Sequence, residues 1–242
     1  MAKFETIKLG ITNIFLIEIG EGYLLIDTSI KNKYRTFQRK LKKMNISPSE
    51  INYLLLTHHH SDHVGFANRL LAETNAKLIV HQEEVPLLEQ GKNQTEGVKG
   101  VNGLLRFVWN IAKKIAPGFP PVSSREKDIV IEQEEYDLQE IGLDGKVLHT
   151  PGHTPGHISV ILADGTVFTG DVIMNFLQFL GLQKRPLILY DQNEVMRSWD
   201  KILQYGAKTI RPAHGQPFKA EKLTKYIKKF EQQIKEKEEE SK

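Results

Sequence analysis

The most chemically loaded stretch of this chain is His58-His59-His60-Ser61-Asp62-His63. It follows the apolar run Tyr53-Leu54-Leu55-Leu56. Crowding imidazoles and a carboxylate at the end of a buried strand is costly unless a cation neutralises them. Divalent ions of the zinc type bind imidazole nitrogen and carboxylate oxygen, so they are the natural compensation. His58 and His60 alternate and would share one face of an extended backbone, with His59 on the other. Asp62 and His63 fall beyond the strand, where a loop can turn them toward a second ion. Later candidates stand at the ends of other expected strands. His153 sits in Thr150-Pro151-Gly152-His153-Thr154-Pro155-Gly156-His157, whose Pro and Gly residues force a tight loop. Asp171 follows Phe168-Thr169-Gly170, and His214 sits in Pro212-Ala213-His214-Gly215. His149 and His157 are expected to support ligands, and His81 to be structural. Asp27, at the end of a strand, is expected to orient a ligand or to cap its own loop.

The elements that must position these residues can be read from periodicity. Strands are expected over Ile11 to Ile19 and Tyr23 to Ile26, joined by Gly20-Glu21-Gly22. A helix carries Tyr34, Phe37, Leu41 and Met44, and Ser47-Pro48-Ser49-Glu50 opens a new element. Ile51 to Thr57 and Ala76 to Val80 read as strands flanking a helix from Phe66 to Glu73. Residues 83–127 differ: Leu104, Leu105, Val108, Ile111, Ala112 and Ile115 recur at helical intervals, forming a lid-like insertion. Strands return over Asp128 to Glu132, Lys146 to His149, His157 to Leu162 and Thr166 to Thr169, the last two joined by Asp164-Gly165. A helix from Glu194 to Tyr205 and a short strand at Thr209-Ile210 follow. Residues 219–242 read as a C-terminal helix, with Leu223, Ile227, Phe230 and Ile234 in one stripe, and a charged tail.

Composition narrows the function. The chain has 242 residues, 40% hydrophobic and 26% charged, which suits one domain with a sizeable core. It has no cysteine, which excludes disulfides and thiolate metal sites and fits a cytoplasmic protein. No apolar run approaches the ~20 residues of a membrane span, and the start is not a secretory signal. A net charge of +3 with interspersed signs gives no reason to expect nucleic-acid binding. There is no Gly-x-Ser-x-Gly elbow, so an attacking group must come from elsewhere.

Taken in order, His58, His60, Asp62, His63, His153, Asp171 and His214 resemble the motif set of the metallo-β-lactamase superfamily, from Ile26-Asp27-Thr28 to about residue 218. The resemblance implies an α/β fold, a four-layer αββα sandwich, here with a helical insertion and a C-terminal helix. It implies that His58, His60 and His153 hold one metal ion, that Asp62, His63 and His214 hold a second, and that Asp171 bridges them. Asp62 is also the carboxylate expected to take part in catalysis. Two divalent ions are expected, zinc fitting best, with iron and manganese able to use similar ligands. Such a pair can lower the pKa of a shared water to about 7 and present it as a bridging hydroxide to a carbonyl or phosphoryl centre.

Fold and metals do not select the substrate. The lactamases best known from bacteria place a cysteine in the second site, and this chain has none. Only one helix follows His214, short of the glutathione-binding region of a glyoxalase II. Acyl-homoserine lactonases have a tyrosine where Met174 stands, and the basic arm of the transfer-RNA phosphodiesterases is missing. Large apolar residues crowd 101–120 and the loop 173–180. If they wall the site, the chain is a hydrolase of a small ester, thioester or lactone with an apolar portion. Phosphodiester or β-lactam hydrolysis is the alternative. The same segments could equally close the core or join two copies, which leaves a homodimer open.

Overall fold

Alternating apolar residues build two facing sheets in the computed structural model, which describes residues 2–115 and 117–240, the side chains of 231 and 233–240 excepted. The first sheet contains β1 (Phe4–Leu9), β2 (Thr12–Glu18), β3 (Tyr23–Ile26), β4 (Ile51–Leu55) and β5 (Lys77–His81). After the two-residue β6 (Lys99–Gly100), β7 (Ile129–Ile131) closes that sheet beside β5. Its first three strands are antiparallel, and β3, β4, β5 and β7 run parallel. The second sheet draws on β8 (Glu135–Asp137), β9 (Gly145–His149), β10 (Ile158–Leu162) and β11 (Thr166–Phe168). The short β12 (Ile188–Leu189) pairs with β6 instead, and β13 (Thr209–Arg211) and β14 (Phe218–Lys219) complete the second sheet. Its order is β14-β13-β11-β10-β9-β8, with β11 and β13 parallel.

Three apolar clusters show the layering. On β2, Ile14 and Leu16 face outward to Phe37 and Leu41 of α1 (Tyr34–Lys43) and to Phe66. The alternate residues Phe15 and Ile17 face the second sheet, where they meet Val160 and Phe168. The Phe168 ring packs 4.6 Å from Phe15 and 5.2 Å from Phe4. On the far side of the second sheet, Ile161, Val167 and Ile210 pack against Trp199, Leu223 and Phe230. The helices that follow α1 are α2 (Ser61–Val64), α3 (Ala67–Glu73), α4 (Val85–Gln90) and α5 (Gly103–Ala112). The last two are α6 (Gln192–Gln204) and α7 (Glu221–Glu240). The result is the expected αββα sandwich.

Some local expectations differ from the structure. The chain starts with a strand at Phe4–Leu9 and turns at Gly10-Ile11, so Ile11 is 57% exposed rather than inside a strand. Asp62 and His63 lie on one helical turn, α2, rather than in a loop. Ile234, expected on the C-terminal stripe, has its side chain outside the described residues, whereas Leu223, Ile227 and Phe230 are buried.

Candidate metal centre

Loops from both sheets meet at one end of the sandwich. The parallel strands β3, β4 and β5 all end there, delivering Asp27, the histidine cluster and Glu84 to one edge. From the other sheet come the 150–157 loop and the ends of the parallel pair β11 and β13, which carry Asp171 and His214. The sheets are stitched there by Ile158 N–H donating to Thr57 O at 2.9 Å and Asn13 N–H to Ala213 O at 2.7 Å. Gly170, at φ +47°, allows the close approach: a Cβ there would stand 2.7 Å from both His157 Nε2 and Thr57 Oγ1.

The structure brings all seven sequence-selected residues together. His58 Nε2, His60 Nδ1 and His153 Nε2 form a triangle with sides of 3.0, 2.9 and 3.2 Å. Beside it, His214 Nε2 lies 3.2 Å from Asp62 Oδ2, and His63 Nε2 lies 4.0 Å from Asp62 Oδ1. Asp171 stands between the two groups. Its Oδ1 is 3.3 Å from His63 Nε2 and 3.4 Å from His214 Nε2, while Oδ2 is 3.7 Å from His153 Nε2.

The outer nitrogens explain why these contacts need a cation. Thr57 Oγ1 donates to Asp27, so at 3.0 Å it accepts from His58 Nδ1. His153 Nδ1 donates to Ile188 O at 2.9 Å, His214 Nδ1 to Ile11 O at 3.0 Å, and His63 Nδ1 to Asp27 Oδ2 at 2.8 Å. A neutral imidazole that donates outward points a lone pair inward. His58 and His153 therefore oppose lone pairs, and His63 and His214 direct theirs at carboxylate oxygens. His63 Nε2 and Asp171 Oδ1 are buried without a hydrogen-bond partner among the described residues. Nitrogens bound at ~2.0–2.1 Å to a tetrahedral ion stand about 3.3 Å apart, close to the spacing of the triangle. The donor set fits divalent metal ions.

Electrostatics separate the two groups. Burial and the neighbouring imidazoles push His58 and His60 well below the usual histidine range, and burial lowers His153. Burial also opposes charge on His63 and His214, but Asp171 and the other carboxylates raise both. Burial would raise Asp171, yet His214 and His63 hold its carboxyl far below the usual range.

Supporting residues hold these groups in place. Asp27 adopts φ 61°, rare for a non-glycine residue. Its carboxylate accepts from Thr57 N–H, Thr57 Oγ1 and His63 Nδ1, which over-determines the strained turn. It orients a site histidine and ties its own loop to the end of β4. His157 Nε2 accepts from Asp171 N–H at 3.2 Å, and burial lowers its pKa to about 3. His149 and His81 stack with ring centroids 4.0 Å apart, and His149 Nε2 donates to Pro155 O in the loop that carries His153. The His59 ring turns away, its Nδ1 donating to Glu84 and its Nε2 accepting from Gln94 N–H.

Sequence reasoning missed Glu84. It is fully buried, accepts from His59 N–H at 2.8 Å and from Thr154 Oγ1 at 2.7 Å, and so clamps the 58–60 loop to the His153 loop. Burial alone would raise its carboxyl, but the His59 contacts bring it to about 2. Nothing in Gln82-Glu83-Glu84-Val85 distinguishes this residue from a solvated helix start.

The centre forms the floor of a cavity of about 510 Å³. Its walls include Leu105, Trp109 and Ala112 of α5, together with Met174, Phe176 and Leu187. Among the described residues, no lysine or arginine lines it. The pairing of β6 with β12 fixes α5 in this position, since Ile188 of β12 also holds His153. Part of the expected wall turns elsewhere: Leu104, Phe107 and Phe179 are 60%, 67% and 82% exposed and do not line the cavity.

Known proteins resemble this chain. A beta-lactamase-like protein 2 homolog of Caenorhabditis elegans is 27% identical over 222 residues, covering 89% of this chain and 60% of that protein. The chain thus spans about three fifths of that relative's length. A hydroxyacylglutathione hydrolase of Haemophilus influenzae is 30% identical over 139 residues, 56% of each chain. Among solved structures, one in a di-iron-bound form superposes with a TM-score of 0.62 at 21% identity, covering 89% of this chain and 94% of the other. The family profile described as metallo-beta-lactamase superfamily matches residues 7–214, a span that runs from within β1 to just past β13 and holds every residue of the centre. By sequence and by fold, this chain belongs to the metallo-beta-lactamase superfamily.

Proposed function

We propose that this protein is a dinuclear metal-dependent hydrolase acting on the carbonyl of an ester, thioester or lactone that carries an apolar group. The observation behind this reading is the position of Asp171 between two donor groups on the floor of an apolar cavity. His58, His60 and His153 would hold one ion, and Asp62, His63 and His214 the other. Asp171 would serve both. Zinc suits this nitrogen and oxygen set, and iron or manganese fits similar ligands. When bound, the pair would lower the pKa of a shared water to about 7 and polarise the substrate carbonyl.

The chain itself supplies position and exclusion. Thr57, Asp27, Ile188 and Ile11 fix which nitrogen of His58, His63, His153 and His214 points inward. Asp62, with a side chain 31% exposed against 7% for Asp171, is the more accessible of the two carboxylates that line the cavity, where it can meet the reacting group. Leu105, Trp109, Met174 and Phe176 provide an apolar wall that fits an acyl chain and keeps water from the bound substrate. A wall without basic residues favours a neutral carbonyl substrate over a phosphodiester. The likeness to a hydroxyacylglutathione hydrolase supports thioesters within this class.

The test is kcat/KM for thioesters and esters of increasing acyl length, after loading with zinc, manganese or iron in turn. Each added methylene should raise kcat/KM about fourfold, equivalent to roughly 0.8 kcal/mol, until the cavity fills. A flat profile, or turnover confined to phosphodiesters or β-lactams, overturns the reading.

A further inference from the structure

We propose that α5 docks this protein on an anionic lipid surface, placing the mouth of the cavity against the bilayer. The helix is apolar around more than half of its circumference, and its apolar residues divide between two destinations. Leu105, Trp109 and Ala112 line the cavity above the metal centre. Leu104, Phe107 and Ile111 lie on the neighbouring face and are 60%, 67% and 57% exposed. Their spacing of three and four puts them on one stripe. Val108 and Ile115 belong to both faces: they line the cavity and are 49% and 81% exposed. One continuous apolar surface therefore leads from the outside of the protein into the pocket. A large exposed apolar stripe of this kind marks an interaction site.

Charge selects the occupant. Residues 97–115 contain Lys99, Arg106, Lys113 and Lys114 and no acidic residue. A two-fold contact between copies would bring the same patch against itself and set these cations against one another. A helix of ten residues, about 15 Å long, also offers much less than the ~800 Å² per partner of a stable dimer. An anionic bilayer accepts both features, since the apolar side chains enter the headgroup boundary and the basic ones pair with lipid phosphates. No described helix is long and apolar enough to cross a membrane, so the contact is peripheral. This docking deepens the acyl-hydrolase reading and rests on it only for the consequence, which is entry of an apolar substrate from the lipid side.

The experiment uses the full chain, metal-loaded, with vesicles of phosphatidylcholine alone or mixed with phosphatidylglycerol. Co-sedimentation should show binding to the anionic vesicles that weakens as salt is raised. Lys113→Gln and Lys114→Gln should each lower the partition coefficient about fivefold. The double change Leu104→Ser, Phe107→Ser should abolish binding while hydrolysis of a short soluble ester is unchanged, which also shows that the variant is folded. The proposal is overturned if the unmodified protein ignores anionic vesicles, or if the double variant binds them as well as its parent. It is equally overturned if light scattering finds a dimer that the double variant converts to monomers, because the face then joins two copies. Vesicle binding by a protein inactive on every acyl substrate supports the docking and sinks the hydrolase reading instead.

Discussion

The two donor groups at the centre share one carboxylate and differ in almost everything else. His58, His60 and His153 form a group of imidazoles alone, all buried and all with pKa values pushed down, so each offers a neutral lone pair. Asp62, His63 and His214 combine one partly exposed carboxylate with two histidines whose proton affinity the surrounding carboxylates raise. The first group is held from outside by neutral oxygens, Thr57 Oγ1 on His58 and Ile188 O on His153. The second carries a negative field that a cation must offset, with Asp27 adding a further charge behind His63. Charge, more than position, therefore distinguishes the two donor groups, and they should respond differently to metals and to mutation.

Asp171→Ala should have the largest effect, because it removes the one residue common to both halves. Both ions should be lost, with kcat/KM down about a thousandfold or more. Elemental analysis showing two retained ions and near-normal turnover would refute the bridging role. His60→Ala and His214→Ala should each remove one ion rather than two. In a protein offered zinc and manganese together, His60→Ala should retain the larger share of manganese, since its surviving group is richer in carboxylate. Equal manganese content in the two variants would erase the distinction drawn above.

Asp27→Asn should act through His63, weakening metal affinity of the carboxylate-containing group about 10–100-fold and leaving the imidazole group intact. Competitive chelator titration would show two separated affinities, and a parallel loss at both would contradict this. His59→Ala should leave both ions in place but cost about 1–3 kcal/mol, because Glu84 loses the imidazole donor while keeping the residue 59 backbone N–H and Thr154. For a chain of this size that is a fall in Tm of roughly 5 °C, measurable by calorimetry. Phe176→Ala should have the smallest effect. The Phe176 ring lies 6.2 Å from His214 and lines the cavity, so its loss should flatten the acyl-length profile by no more than about fourfold. A steeper profile would place the acyl chain elsewhere.

Much of this was legible in the chain itself. Strand alternation separates Phe15 and Ile17 from Ile14 and Leu16, and so assigns one set to the inter-sheet core and the other to the helices. Histidines and aspartates at strand ends mark where a centre could form, because those residue types in that number have few alternative uses. The alternation of 58, 59 and 60 was enough to turn His59 away from its neighbours. Tertiary structure decided what lies opposite each of these faces. Inward nitrogens are chosen by Ile11, Ile188 and Asp27, which are 203, 35 and 36 residues from the histidines they hold. Glu84 becomes a buried clamp only because the ends of two sheets close over it. The apolar residues of α5 divide between cavity and exterior by the way β6 and β12 hang the helix over the centre. A period says which side chains share a face, and only the packed chain says what that face meets.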